Sequence, residues 1–109
     1  MGIYDGKKIY FSNVINYLTV TEFLKDTKQF ENLEYSIVLY TGDKLILDIQ
    51  APKSGYLSFI DNWDPDWIAM IDNQLVPIEI LFGTFKSVYV QKGKHRVTFT
   101  YHPKLLGKY

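Results

Sequence analysis

The sequence predicts a mainly β protein: an antiparallel β-sandwich, jelly-roll or immunoglobulin-like, with about seven or eight strands and one short helix. Between residues 51 and 101, short apolar runs are separated by Pro, Gly, Asp and Asn about every ten positions, as in all-β domains. Aromatic residues make up 17% of the chain, and their flat side chains pack well on a pleated, half-buried surface. Several runs alternate apolar and polar residues, which indicates strands with one face on a core.

Length and composition limit the possible functions. The 109 residues fit one domain with a core of its own, which we predict over residues 1–103, followed by a C-terminal tail over 104–109. The formal net charge is zero and the lysines are dispersed, so we expect no nucleic-acid partner. The chain has no cysteine, which excludes disulfides, thiolate metal sites and a cysteine nucleophile. We expect neither a cofactor nor a metal.

The first part of the chain predicts a strand and then a helix. Residues 7–12, Lys-Lys-Ile-Tyr-Phe-Ser, predict a short strand that ends at Asn13. The segment Thr19-Val-Thr-Glu22 has the pattern of a capping box, in which Thr19 and Glu22 satisfy free N–H groups of the first helical turn. Apolar residues then recur at roughly helical spacing, so we predict a helix over residues 20–30.

A hairpin is predicted after the helix. Over residues 33–40 the side-chain pattern has a period of two, which predicts that four side chains share one face of a strand: Leu33, Tyr35, Ile37 and Leu39. Thr41-Gly42-Asp43 predicts the tight turn. The return strand predicts three inward-facing side chains: Leu45, Leu47 and Ile49. Pro52 and Gly55 end that strand, and another runs over about residues 56–60.

The remaining strands follow from the same alternation. Trp67, Ala69 and Ile71 are predicted to face the core, with Trp67 as its anchor. Asp72-Asn73 predicts a hairpin turn, because Asn tolerates the left-handed region better than most residues. The runs over residues 85–90 and 95–101 are predicted to pair with each other across residues 91–93.

A series of short motifs occurs in a fixed order between residues 51 and 103. The motifs are Ala51-Pro-Lys, Gly55-Tyr-Leu, Asp61, Trp63, Pro65, Trp67, Asp72, Val76-Pro-Ile, Phe85, Val88-Tyr-Val, Gly93-Lys-His and Phe99-Thr-Tyr. In order and spacing they resemble the C-terminal soluble domain of the bacterial YfhO family. Members of this family are large polytopic membrane proteins, similar to the glycosyltransferases that use lipid-linked sugars.

The resemblance implies a function and a location. The chain would be a non-catalytic accessory domain on the extracytoplasmic face of the bacterial cell membrane, within a protein that transfers sugars to cell-surface glycans. No catalytic residue is implied here, because the transferase chemistry of such proteins belongs to their membrane part. The implied partner is the transmembrane portion of the parent protein, with a saccharide or a second copy as further candidates. The alternatives are a stand-alone carbohydrate-binding module and a small soluble protein-interaction domain.

Acidic residues and tryptophans cluster between residues 61 and 72. Trp63, Asp64 and Asp66 could form a sugar platform, in which carboxylates accept hydrogen bonds from hydroxyl groups, or the acids could form a calcium loop. For the acids and Trp67 we favour turn chemistry and core packing, whereas Trp63, which lies in the loop, stays open between the two interpretations. His95 and His102 lie at opposite ends of one predicted strand, roughly 23 Å apart at ~3.3 Å per residue, so they cannot share a metal. Both are expected at the surface.

Three apolar residues are predicted to face away from the core. If Trp67, Ala69 and Ile71 point inward, then Ile68, Met70 and Leu75 point outward on neighbouring strands. We interpret these three residues as a contact patch for the rest of the parent protein or for a second copy. The alternative is that the helix over residues 20–30 covers them, and the sequence does not decide between the two.

Overall fold

The computed structural model describes residues 9–13, 17–60, 66–83 and 85–101. In these residues the chain forms two antiparallel sheets and one α-helix, α1 (Val20–Thr27). The nine strands of this part of the chain are β1 (Ile9–Ser12), β2 (Glu34–Tyr40), β3 (Lys44–Ala51), β4 (Gly55–Phe59), β5 (Trp67–Ile71), β6 (Gln74–Val76), β7 (Glu79–Leu81), β8 (Phe85–Val90) and β9 (Gly93–Tyr101). The predicted mainly β, sandwich-like fold with one short helix is confirmed. The number of strands exceeds the expectation because the segment around Pro77, which has no N–H to donate to a ladder, divides into two short strands.

The helix begins with the predicted cap. The backbone N–H of Glu22 donates to the Thr19 hydroxyl at 3.1 Å, and the Glu22 carboxylate accepts from the backbone N–H of Leu18 at 3.1 Å. In a standard capping box the second bond would go to Thr19 itself. A 3₁₀ turn (Lys28–Phe30) follows α1, so the helical segment ends where the sequence predicted.

The main core lies between the two sheets. One sheet has four strands in the order β1-β4-β8-β7, and the other has five in the order β2-β3-β9-β5-β6. The buried core residues are Ile9, Phe11, Leu45, Leu47, Ile49, Ala51, Leu57, Phe59, Ala69, Val88, Val90, Val97 and Phe99. A second cluster lies on the other side of β1, where Phe23 of α1 packs with Tyr10, Leu81 and Phe85. The helix therefore covers the four-stranded sheet.

The predicted hairpin between residues 85–90 and 95–101 is wrong. Strand β8 pairs with β4 and β7, whereas β9 pairs with β3 and β5 in the other sheet. The chain changes sheet at residues 91–93, where Gly93 adopts a φ of 120° that strongly favours glycine. Both strands carry buried apolar residues and occupy the interior of their sheets, so their apolar faces meet across the core.

The predicted orientation of Leu39 is also wrong. In the ladder between β2 and β3, Ile37 lies opposite Leu47 and Leu39 lies opposite Ile46. Val38 is therefore an extra residue in a β-bulge, which reverses the alternation beyond it. Leu39 consequently shares the outer face of the sheet with Ile46, and it is 41% exposed.

Candidate interaction site

A row of neighbouring residues crosses the outer face of the five-stranded sheet, with one residue from each strand. The ladder registers place them side by side in the order Leu39, Ile46, Thr98, Met70 and Leu75. Residues directly opposite one another in adjacent strands share a face, with Cβ atoms about 4.5–5.5 Å apart. Ile68 lies beside this row, two residues before Met70 on β5. We call Leu39, Ile46, Ile68, Met70 and Leu75 the outer apolar patch.

The structure brings the three residues of the predicted contact patch together. Met70 lies directly opposite Leu75, and Ile68 is on the same face of β5. Ile68 is 40% exposed and Leu75 is 72% exposed. Helix α1, the alternative cover, packs against the four-stranded sheet through Phe23 and leaves these two side chains open to solvent. Their role in an interaction stays a prediction.

Sequence reasoning missed two members of the outer apolar patch. On β3, Leu45 and Leu47 are buried, so Ile46 between them faces outward. The alternation along this strand could have identified Ile46 from the sequence. Leu39 joins the patch only because of the bulge at Val38, for which the alternating sequence provides no signal. The patch is therefore wider than the sequence predicted, because it reaches both edge strands.

Charged residues border the outer apolar patch. On one side, Arg96 donates from Nε to Asp48 Oδ1 at 2.8 Å and from Nη2 to Oδ2 at 3.0 Å. This two-bond ion pair lowers the pKa of Asp48 and raises that of Arg96. On the other side, Lys44 lies opposite Thr100 in the ladder between β3 and β9. Thr98 of the central strand lies between the two apolar groups of the patch, Leu39 with Ile46 and Ile68 with Met70 and Leu75, and such a mixture of apolar and polar residues is usual in non-obligate contact surfaces.

Trp67, the predicted core anchor, is only half-buried. Its ring packs against the main core and lies 5.6 Å from the ring of Tyr101. The ammonium nitrogen of the fully buried Lys86 lies 4.6 Å from the Trp67 ring centroid and 4.8 Å from that of Phe59, within the range of a cation–π contact. Trp67 therefore closes one part of the core and shields a buried cation.

The predicted sugar platform falls mostly on residues that the structure does not describe. Trp63 and Asp64 lie outside the described residues. Asp66 is half-buried in the turn just before β5. Among the residues that are described, no three histidine, aspartate or glutamate side chains are grouped as metal ligands would be. The platform stays a prediction.

Asp72 and His95 form an acid–base pair that sequence reasoning did not identify. Asp72 and Asn73 adopt φ values of 52° and 69° in the predicted hairpin turn between β5 and β6. Pairing of β5 with β9 then brings Asp72 to His95, with 2.7 Å between Oδ2 and Nδ1. Because an ionised carboxylate can only accept, the imidazole donates from Nδ1. Backbone donation from Arg96 at 2.9 Å, and then the His95 contact, lower the pKa of Asp72.

The surroundings of His95 differ from the expected surface position. Its side chain is 20% exposed, and its buried Nε2 has no hydrogen-bond partner in the described part of the chain. Val97 and Phe99 face the core, and His95 lies two residues before Val97 on the same strand. The alternation along this strand could therefore have predicted that His95 faces inward. A His–Asp pair activates a nucleophile only when the second ring nitrogen reaches that nucleophile. His95 makes no such contact in this structure. His102 lies outside the described residues.

Two depressions flank the Asp72–His95 pair. On one side is a shallow groove of about 610 Å³ that includes the charged residues Glu34, Asp48, Lys94 and Arg96. On the other side is a cleft of about 550 Å³ that includes Tyr56, Tyr89 and Glu79. The pair thus forms a wall between a charged groove and an aromatic cleft.

Comparison with known proteins supports the resemblance found in the sequence. No helix among the described residues has the length and apolar character that crossing a bilayer requires. The family model described as bacterial membrane protein YfhO matches residues 5–108. No curated protein and no solved structure matches the chain. Because the family model covers nearly all of the sequence, this chain belongs to the YfhO family of bacterial membrane proteins.

Proposed function

We propose that this chain is a non-catalytic, extracytoplasmic accessory domain of a polytopic membrane protein that transfers lipid-linked sugars to cell-surface glycans. Its family membership supports the link to a membrane protein. The observation that carries the accessory role is the outer apolar patch, which has members on four of the five strands of one sheet and reaches both edge strands. In this role, the patch packs on the membrane-embedded portion of the same protein.

The physical case for docking rests on exposed apolar area. Leu39, Ile68 and Leu75 are 41%, 40% and 72% exposed, and they share one face, with Leu39 on one edge strand and Ile68 and Leu75 toward the other edge. Removing apolar area from water contributes about 25 cal/mol per Å², so covering this face is favourable. The side chains of the Asp48–Arg96 pair are 47% and 52% exposed at the border, where the pair can stay in contact with water while the apolar residues are covered.

The non-catalytic role has a separate basis. Asp72 and His95 form the one histidine–carboxylate ion pair of the described residues. In the proposed role, the pair holds the turn between β5 and β6 in place, which is consistent with a His95 Nε2 that contacts no nucleophile among the described residues. In the proposed function, catalysis belongs to other parts of the polypeptide.

The extracytoplasmic location can be tested by cysteine labelling, because the chain contains no cysteine of its own. Lys53→Cys places a thiol at an exposed position, and Ala51→Cys places one at a fully buried position as the matched control. In intact cells that produce the protein with its natural flanking sequence, a membrane-impermeant maleimide should label K53C. A51C should react only after denaturation. Labelling of K53C only after the cells are opened would overturn the extracytoplasmic location.

The docking role can be tested by charging the outer apolar patch. Leu75→Lys introduces a cation into the patch, and Leu18→Lys does the same at an even more exposed leucine outside it. In membranes containing the intact protein, L75K should make the domain more sensitive to added protease and reduce sugar incorporation into surface glycans. L18K should change neither, and neither variant should change the melting temperature of the isolated chain. If L75K behaves like L18K, the patch is not a docking surface.

A further inference from the structure

The aromatic cleft beside Asp72 lies between the two sheets. Strand β6 belongs to one sheet and β7 to the other, and the connection through Pro77 lines the cleft. Its polar lining comes from seven side chains: Tyr56, Tyr89, Asp72, Gln74, Glu79, Gln91 and His95. At about 550 Å³, the cleft is in the size range of small-molecule sites, which are about 300–1,000 Å³.

Two tyrosines form the aromatic wall of the cleft. Tyr56 lies directly opposite Tyr89 in the ladder between β4 and β8, with ring centroids 5.3 Å apart and planes inclined by 66°. Tyr89 is 51% exposed, so part of its ring is available to a ligand. An aromatic ring offers a flat apolar surface, and each phenol group adds a hydrogen-bonding position at its end.

The Asp72 carboxylate is held rigidly at the opposite side of the cleft. The backbone N–H of Asp72 donates to the carbonyl of Arg96 at 2.9 Å. Its Oδ1 accepts from the backbone N–H of Arg96 at 2.9 Å, and its Oδ2 accepts from His95 at 2.7 Å. Each carboxylate oxygen still has lone-pair capacity for another donor. A group that is already fixed loses little conformational freedom when a ligand binds, which favours affinity.

The charges of the lining limit the kind of ligand. Two carboxylates line the cleft, and no lysine or arginine of the described residues does, which argues against an anionic ligand. The amides of Gln74 and Gln91 and the two phenols both donate and accept, whereas a simple cation would use only the acceptors. The hydroxyl groups of a polyhydroxylated ring can pair with both the donors and the acceptors of this lining. The apolar faces of such a ring can pack on tyrosine. We infer that the cleft binds a neutral polyhydroxylated ring, the chemistry of one saccharide unit.

This inference does not depend on the outer apolar patch. The cleft and the patch use different residues, so binding in the cleft can be measured on the isolated chain. If the chain binds a sugar but L75K behaves like L18K, only the docking role fails. If L75K impairs docking but no sugar binds, only the inference about the cleft fails.

The inference can be tested by titrating the chain with neutral sugars, namely glucose, galactose, N-acetylglucosamine and their disaccharides, while amide resonances are followed by NMR. Choline chloride and inorganic phosphate serve as the cationic and anionic probes. At least one sugar should give saturable shifts concentrated at Gln74, Tyr89 and Gln91, with little effect from choline or phosphate. Tyr89→Ala and Glu79→Ala should each weaken binding by about tenfold or more, as expected for losing a ring contact or a charged hydrogen-bond acceptor.

Matched variants outside the cleft provide the controls. Tyr35→Ala and Glu34→Ala remove the same side-chain types from exposed positions on β2, and both should leave the affinity unchanged. The inference is overturned if no sugar shifts the cleft resonances at its highest soluble concentration. It is equally overturned if choline saturates the cleft in place of a sugar, or if Y89A and E79A bind as tightly as the controls.

Discussion

Leu39 of β2 lies directly opposite Ile46 of β3 on the outer face of the five-stranded sheet, although uninterrupted alternation from Tyr35 would turn Leu39 toward the core. The cause is Val38, which has no partner of its own in the ladder. By inserting one residue, the bulge carries an apolar side chain from the inner face to the outer face. That change connects β2 to the patch formed by β3, β5 and β6.

Deleting Val38 should leave the fold intact. The pairs on either side, Ile37 with Leu47 and Leu39 with Ile46, become consecutive in a regular ladder, so no side chain changes face. We expect the free energy of unfolding to change by about 1 kcal/mol or less, as measured by denaturant titration.

A deletion on the partner strand is the control for the bulge. Deleting Ile46 forces Leu45 and Leu47 into adjacent positions on a strand, where they cannot both face the core. This variant should fail to fold cooperatively. A Val38 deletion as damaging as the Ile46 deletion would contradict the assignment of Val38 as the extra residue.

Replacement by alanine should have opposite effects on stability at two glycines, Gly55 and Gly42. A Cβ at Gly55 would lie 2.7 Å from both Phe11 Cζ and the Ser12 carbonyl oxygen, so Gly55→Ala forces β1 and β4 apart. We expect it to destabilise the protein by about 1–3 kcal/mol. At Gly42 no atom of the described residues lies within 4 Å of such a Cβ, so Gly42→Ala should be neutral or stabilising by about 0.5 kcal/mol.

Thermal unfolding of the two alanine variants provides the comparison. A difference of about 1 kcal/mol corresponds to a change of several degrees in the melting temperature of a domain of this size. Equal melting temperatures for G55A and G42A would contradict the close approach of β1 and β4 at Gly55.

Replacing Trp67 should test its role as a half-buried cover for Lys86. Trp67→Ala removes the ring that lies beside Tyr101 and over the buried ammonium group, and we expect a loss of about 3 kcal/mol. Trp67→Phe keeps a ring at the same place and should cost about 1 kcal/mol. Denaturant unfolding monitored by circular dichroism measures both, and a W67A variant as stable as W67F would show that the ring is dispensable there.

Asp72 should make stability depend on pH in the acid range. Its pKa is lowered in the folded protein by the Arg96 N–H and then by His95, so the ionised form favours folding. The contribution is fully present above the unfolded pKa of about 3.9 and is lost as the pH falls through the lower folded value. Asp72→Asn abolishes it while keeping a residue that tolerates positive φ.

The pH dependence can be measured by denaturant unfolding of both proteins between pH 6 and pH 3. Because Asp72 is 53% exposed, the wild type should exceed D72N at pH 6 by less than about 1 kcal/mol, and the two should converge below about pH 4. The lowered pKa of Asp48 contributes in the same range in both proteins and cancels in the difference. A gap that stays constant down to pH 3 would contradict the role of the Asp72 carboxylate.

Much of the fold could be predicted from local patterns. The alternation of Leu45, Leu47 and Ile49, the cap at Thr19 and the positive-φ turn at Asp72-Asn73 depend on near neighbours in sequence, and all three are observed. The predicted pairing of β8 with β9 failed for a physical reason. The alternation of apolar and polar residues shows which side chains face a core. The same alternation occurs whether two strands pair within one sheet or face each other across the sandwich, so it does not predict which strands are paired.

The candidate sites, too, could be predicted only in part from the sequence. The outward phase of Ile68, Met70 and Leu75 could be predicted from their alternation with Trp67, Ala69 and Ile71. The contact of Asp72 with His95 could not be predicted, because it joins residues 23 positions apart through the pairing of β5 with β9. The aromatic cleft likewise depends on strands from both sheets.

By itself, the sequence determined that this protein is a β-rich domain, which residues form most of its core, where its main turns lie and which family it resembles. Tertiary structure decided which strands are neighbours, and it thereby created the outer apolar patch, the Asp72–His95 pair and the cleft beside Tyr89. The reason is that hydrophobic phase and turn propensity are short-range properties, whereas strand order is set by the collective burial of apolar faces from distant parts of the chain.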